Sequence, residues 1–273
     1  MPYADVNGIK LYYEEHGSGT PLLLIMGFTA NATAWESLIP YLTGRHRVIA
    51  FDNRGSGRSE QPEGPYTMAQ LADDALGLLD VLGVDRAHVH GVSMGGMIAQ
   101  HVYLRHSERV LSLILGCTTP GGPNSVQAAP EVVQTLLTST QMTPEQAFEA
   151  NLPILYSDNF AATHRQLLWE RTQQYAHLRA TPQGVQGQMQ AILGHDTYDR
   201  LPEFRVPTLV LHGDDDQLVP TANGRILAER IPRARLILYP GARHGYFGEC
   251  LADVARDILN FTAEVETRSS APA

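Results

Sequence analysis

The sequence predicts an α/β protein: a mostly parallel, eight-stranded sheet flanked by helices, with a helical segment inserted between two of its strands. Three observations predict it. Short, nearly continuous apolar runs alternate with segments of helical period, the pattern of parallel strands covered on both faces. That alternation stops at Cys117 and resumes near Pro207, with helix signals in between. A chain of 273 residues, 43% apolar and 18% charged, is also long enough to bury a large core.

Tyr3 to Val6 and Ile9 to Glu15 flank Asn7-Gly8, whose two residues tolerate positive φ, so a hairpin opens the chain. Pro21 to Met26 is a strand, and Thr33-Ala34-Trp35-Glu36 has the capping-box form and opens a helix to about Leu42. Val48 to Asp52 is a strand. Thr67 and Gln70 cap a helix running to about Leu82. Ala87 to Val92, a helix from Met94 to Arg105 and Val110 to Gly116 continue the alternation.

A Pro/Gly-rich exit, Thr119 to Pro123, then leads into helices. Thr143-Pro144-Glu145-Gln146 combines an N-cap, proline at the first helical position and a capping box. Further helices are expected from about Thr163 to Leu178 and from Pro182 to Leu193. Strand Thr208 to His212, helix Thr221 to Ile231, strand Ala234 to Tyr239 and helix Gly248 to Phe261 resume the rhythm. The expected division is a core of residues 1–116 and 207–266, a helical cap of 117–206, and a small, polar, flexible tail, 267–273.

Twenty basic against 29 acidic residues give a net charge of −9. A chain of that sign attracts neither a phosphate backbone nor an anionic bilayer, so no nucleic-acid or membrane partner is expected. Cys117 and Cys250 lack any CxxC spacing and read as free thiols of a reducing compartment. The start, Met1-Pro2-Tyr3-Ala4-Asp5, has no basic or apolar leader pattern, so a cytoplasmic location is expected. The sequence leaves the oligomeric state open.

Gly91-Val92-Ser93-Met94-Gly95 carries the sharpest chemical signal, because it follows a predicted strand and precedes a predicted helix. A serine there is lifted to the carboxyl end of the sheet, beside the N–H groups of a helix start. Such a hydroxyl needs a base, and the base an orienting group. Of eleven histidines, His244 stands apart, since it lies beyond the carboxyl end of the last strand, on the edge where Ser93 sits. His212 ends a strand before an acidic loop and reads as structural. For the acid, Gly213-Asp214-Asp215-Asp216-Gln217 offers three carboxylates on that same edge. No zinc or calcium spacing is apparent, and no cofactor is expected.

Together with Asp52-Asn53-Arg54-Gly55-Ser56-Gly57-Arg58-Ser59 and Gly241-Ala242-Arg243-His244-Gly245, these motifs resemble the α/β-hydrolase superfamily over nearly the whole chain. The resemblance implies an α/β-hydrolase fold with Ser93 as nucleophile, His244 as base and, by register, Asp216 as acid. It places the oxyanion donors on the amides of Phe28 and Met94. Met26 stands where the family usually has histidine before the glycine, which puts a soft apolar group near the site.

The elbow string is similar to small carboxylesterases, enol-lactone hydrolases and acyl-homoserine-lactone hydrolases. The implied activity is hydrolysis of a small-molecule carboxylic ester or lactone through an acyl-enzyme. The alternative is a carbon–carbon bond hydrolase, which shares Ser-Met-Gly-Gly, or an enol-lactone hydrolase of a degradation pathway, with a ligand-binding receptor of the same fold as the non-enzyme reading. Met26, Tyr156, Trp169, Tyr175, Met189, Leu193 and Val219 are the candidates for lining the substrate pocket.

Overall fold

A computed structural model describes residues 2–270. Strands β1 (Tyr3–Val6), β2 (Ile9–His16), β3 (Thr20–Ile25), β4 (His46–Phe51), β5 (Ala87–Val92), β6 (Val110–Gly116), β7 (Thr208–Gly213) and β8 (Arg235–Tyr239) form one sheet. Their spatial order is β1-β2-β4-β3-β5-β6-β7-β8. The β1–β2 hairpin and the β2–β4 pair are antiparallel; every pairing from β4 to β8 is parallel. Parallel pairing puts the carboxyl ends of β5, β6, β7 and β8 along one edge.

The helices are α1 (Ile39–Leu42), α2 (Met68–Val81), α3 (Met94–Arg105), α4 (Pro130–Ser139), α5 (Pro144–Leu155), α6 (Asp158–Gln174), α7 (Pro182–Leu193), α8 (Ala222–Arg230), α9 (Tyr246–Glu249) and α10 (Leu251–Ser270). The two-residue period of a strand sends Leu23 and Ile25 of β3 to one face and Leu22 and Leu24 to the other. Residues of α2, α3 and α8 cover the first face; residues of α1 and α10 cover the second. All four β3 side chains are fully buried, each contributing about 1.5–3 kcal/mol.

Four elements differ from expectation. Thr33 does not cap a helix running to Leu42. Asn31 is the cap of a short 3-10 turn, Ala32–Trp35, and accepts the Thr33 N–H at 3.1 Å. Glu36 turns outward to the Tyr175 hydroxyl and to Arg171 instead of closing a capping box. Helix α4 has no counterpart in the sequence reading; its apolar side chains lie largely at the surface, so they gave no clear core stripe. The helix expected from Thr163 starts at Asp158, capped by the Ser157 hydroxyl, and ends at Gln174.

The C-terminal helix is also longer than expected, because α10 carries its inward stripe of Val254, Ile258, Phe261 and Val265 past Phe261. The expected tail therefore begins inside α10 at Thr267, and residues 271–273 lie outside the described part. No helix among the described residues is long and apolar enough to cross a membrane.

Candidate active site

Ser93 joins β5 to α3 with φ 57° and ψ −122°, a left-handed conformation costly for any side chain. The surroundings hold it there. Its N–H donates to the Gly116 carbonyl at 2.9 Å, and its own carbonyl accepts the Thr118 hydroxyl at 2.7 Å. The chain crosses itself so closely that a Cβ on Gly91 would stand 2.0 Å from the Gly95 oxygen, and one on Gly95 2.0 Å from the Ile25 oxygen. Only glycine fits on either side of the serine.

His244 lies in the loop after β8, and its Nδ1 stands 2.8 Å from Asp216 Oδ2, with both residues buried. The other carboxylate oxygen of Asp216 accepts the N–H groups of Leu218 and Val219, each at 2.9 Å. His212 donates from Nε2 to the Val219 carbonyl at 2.8 Å and stands 3.3 Å from Asp216 Oδ2, so it braces the acidic loop. Burial alone would raise the Asp216 pKa, but the His244 charge and the histidine hydrogen bonds outweigh it and hold the carboxyl below its usual range. Burial likewise disfavours the His244 imidazolium, and the adjacent carboxylate more than compensates, raising its pKa well above the ordinary value.

The other two aspartates have different partners. Asp214 accepts the Gly241 N–H at 2.6 Å, tying the β7 loop to the turn before His244. Asp215 meets Arg243 Nε at 3.0 Å.

Cys117, which by sequence reads only as a free thiol, belongs to this neighbourhood. It is fully buried, has φ 35°, and its Sγ lies 3.9 Å from His244 Nε2. Ser93 Oγ is not among the hydrogen-bond partners of that nitrogen. The available signal was topological: Cys117 follows β6 as Ser93 follows β5, and the two strands are parallel neighbours. Donor atoms of Cys117, Asp216 and His244 lie within 4.8 Å of one another. Yet 2.8 Å between Nδ1 and Oδ2 is a hydrogen-bond length, whereas two ligands on one tetrahedral zinc stand roughly 3.3 Å apart.

The segment after β3 runs beside the serine: a Cβ on Gly27 would stand 3.0 Å from Ser93 Cβ and 3.4 Å from Oγ. Among the described residues, neither the Phe28 nor the Met94 amide donates to a protein acceptor. The Asp52-to-Ser59 loop is hydrogen-bonded to this segment. Asn53 Nδ2 donates to the Met26 carbonyl at 2.8 Å, and Asp52 accepts the Ala32 N–H at 2.7 Å. The same loop is anchored by a buried pair, Arg54 to Asp74, with contacts of 2.7 and 2.9 Å. Met26 itself is buried.

A cavity of about 380 Å³ lies between α5, α6, the Thr33-to-Leu38 segment and Phe247, Gly248 and Leu251. Tyr156 and Tyr175 line it; Ser93, Asp216 and His244 do not. Tyr156 also packs against the His244 loop, where a Cβ on Gly245 would meet its ring at 2.6 Å. Trp169 packs on Phe148, with ring centroids 5.3 Å apart, outside that cavity lining. Val219 is buried in the Asp216 loop, and Met189 is half-buried on α7.

Leu193 corrects the expectation for the pocket, since it is 79% exposed. The inward face of α7 carries Gly184, Gly187, Gln188 and Ala191, and a residue two positions beyond Ala191 points away from it.

The profile of the alpha/beta hydrolase fold family matches residues 20–249. A protein of Azorhizobium caulinodans, provisionally named the carbamate hydrolase RutD, is 35% identical over 97% of this chain and 100% of its own length. A non-heme haloperoxidase of Rhodococcus erythropolis is 31% identical, covering 96% of this chain and 99% of its own. Among solved structures, the enol-lactonase from Burkholderia xenovorans LB400 superposes with a TM-score of 0.85 at 29% identity, over 96% of this chain and 100% of that one. Profile, relatives and sheet order agree: the chain belongs to the alpha/beta hydrolase fold family.

Proposed function

We propose that the protein is a serine hydrolase of carboxylic esters or lactones that works through an acyl-enzyme. One observation carries the reading: the 2.8 Å pairing of His244 Nδ1 with Asp216 Oδ2 on the sheet edge that also bears the strained Ser93 elbow. Ser93 Oγ attacks the substrate carbonyl carbon and passes its proton to His244 Nε2, while the Phe28 and Met94 amides stabilise the oxyanion. The imidazolium then protonates the departing alcohol as the carbonyl–oxygen bond breaks. In a lactone that alcohol stays tethered to the acyl group. Water gives a proton to His244 and attacks the acyl carbon; the bond from that carbon to Ser93 Oγ then breaks, Oγ takes the proton back from His244, and the acid is released. Asp216 stays ionised throughout and accepts the Nδ1–H. Before attack, Nε2 exchanges its contact with Cys117 for one with Ser93, consistent with such bonds tightening only when substrate binds.

Residues 117–206 act as a cap in this reading, and from it Tyr156 packs on Gly245, next to His244. The enol-lactonase supports an acyl substrate, and the carbamate hydrolase extends the class to carbamates attacked in the same way. The decisive experiment joins a fluorophosphonate label to a panel of p-nitrophenyl acyl esters, acyl-homoserine lactones of graded length and an aryl carbamate. Intact mass should place the label on Ser93 alone, and Ser93→Ala should lose about a million-fold in kcat. Undiminished labelling of Ser93→Ala, or peroxide-dependent halogenation without acyl cleavage, overturns the reading.

A further inference from the structure

Gln188 is sealed inside the protein and spends its whole side chain on the backbone of two loops around the serine. Its Oε1 accepts the Thr29 N–H at 2.8 Å, and its Nε2 donates to the Arg54 carbonyl at 2.8 Å. One partner is a donor and the other an acceptor, so the amide has a single satisfied orientation.

Thr29 is itself strained, with φ 58°, a conformation a β-branched residue rarely adopts without being held. The N–H that Gln188 takes belongs to the peptide unit immediately after the one carrying the Phe28 N–H. On the other side, Asn53 holds the Met26 carbonyl, in the peptide unit immediately before it. The Phe28 amide is thus bracketed by two side-chain amides, one from the Asp52-to-Ser59 loop and one from α7. Helix α7 is seated closely enough to deliver Gln188. A Cβ on Gly184 would stand 2.2 Å from the Gly55 oxygen, and one on Gly187 2.5 Å from the Tyr66 ring.

We propose that Gln188 is a positioning residue that fixes the Phe28 N–H for the oxyanion by clamping Thr29 from α7. This rests on the reading of Phe28 as an oxyanion donor to a Ser93 acyl-enzyme. The donor acts on charge that develops in the transition state, so its displacement lowers kcat and leaves KM nearly unchanged.

The test compares Gln188→Met, Gln188→Glu and Gln188→Ala with the wild type and Ser93→Ala, on a short p-nitrophenyl ester, with Tm measured for each. Methionine keeps the shape and loses both hydrogen bonds. Glutamate keeps an oxygen to accept from Thr29 N–H in either protonation state, while an ionised carboxylate faces the Arg54 carbonyl. A packing role ranks methionine above glutamate in both Tm and kcat. Positioning reverses the order in kcat alone. Gln188→Met should lose about ten- to a hundred-fold in kcat, the scale of a displacement near 1 Å, with KM within about twofold. Gln188→Glu should retain the higher kcat despite the lower Tm.

Should methionine prevent folding, Gln188→Ala carries the same split: a fall in kcat at constant KM supports the proposal, and kcat within about twofold of wild type overturns it. Retained kcat in folded Gln188→Met, or kcat that follows Tm, overturns it as well. Ser93→Ala inactive alongside active Gln188→Met removes only this proposal; Ser93→Ala as active as wild type removes the acyl-enzyme reading and this proposal with it.

Discussion

His244 uses its two ring nitrogens differently: Nδ1 is 2.8 Å from Asp216, while Nε2 faces the Cys117 thiol at 3.9 Å. In the proposed mechanism the carboxylate accepts the Nδ1–H and Nε2 is the nitrogen that takes the Ser93 proton. Four expectations follow from this site and its supports.

The three aspartates of the β7 loop should separate cleanly. Asp216→Asn preserves shape but offers an N–H to Nδ1 and favours the wrong tautomer, a loss on the order of ten-thousand-fold in kcat. Asp215→Asn, which loses only an exposed contact with Arg243, should keep most activity. Asp214→Asn weakens the bond to Gly241 and should lower Tm more than kcat. A dead Asp214→Asn beside an active Asp216→Asn would reassign the acid.

Activity should rise with pH through the His244 titration, because only the neutral ring accepts the Ser93 proton. The Asp216 carboxylate favours the charged ring, so the acid limb of kcat/KM should lie above the ordinary histidine value of about 6.5. Asp216→Asn removes that charge and should move the residual limb to lower pH. A wild-type limb well below pH 6 contradicts this assignment.

The two thiols should differ in reactivity. Cys117 is fully buried, and burial raises its pKa, keeping it a protonated thiol; Cys250 is only partly buried. A disulfide reagent should modify about one thiol in the native protein, mapping to Cys250, and the second only on unfolding. Rapid native modification of Cys117 would show that its pocket opens.

Breaking the Arg54–Asp74 pair should cost stability. The two side chains are 5% and 1% exposed, so Asp74→Ala leaves a guanidinium buried and unpaired, at about 3–5 kcal/mol. Urea unfolding should report this as a lower midpoint at unchanged slope. A paired replacement, Arg54→Met with Asp74→Leu, should recover much of the loss.

The sequence by itself determined the sheet and which candidate residues stand at its edge. Strands read well because each needs only a short apolar run, and β5, α3 and β6 begin and end where their signals do. Ser93 was legible because the strand-turn-helix context and the flanking glycines are local. His244 was legible because its place beyond the last strand follows from chain order. The choice of Asp216 among three neighbours came from family register, since their carboxylates differ in direction rather than position.

Only the tertiary structure decided what depends on contacts distant in sequence. Asn31 displaced Thr33 as a cap because Glu36 found partners in α6 and just beyond it. Leu193 turned outward because the inward face of α7 was set by the close seating of Gly184 and Gly187. Cys117 reached His244 across 127 positions of chain, and Gln188 reached Thr29 across 159. No local period encodes such pairs; the parallel sheet and the packing of α7 bring them together.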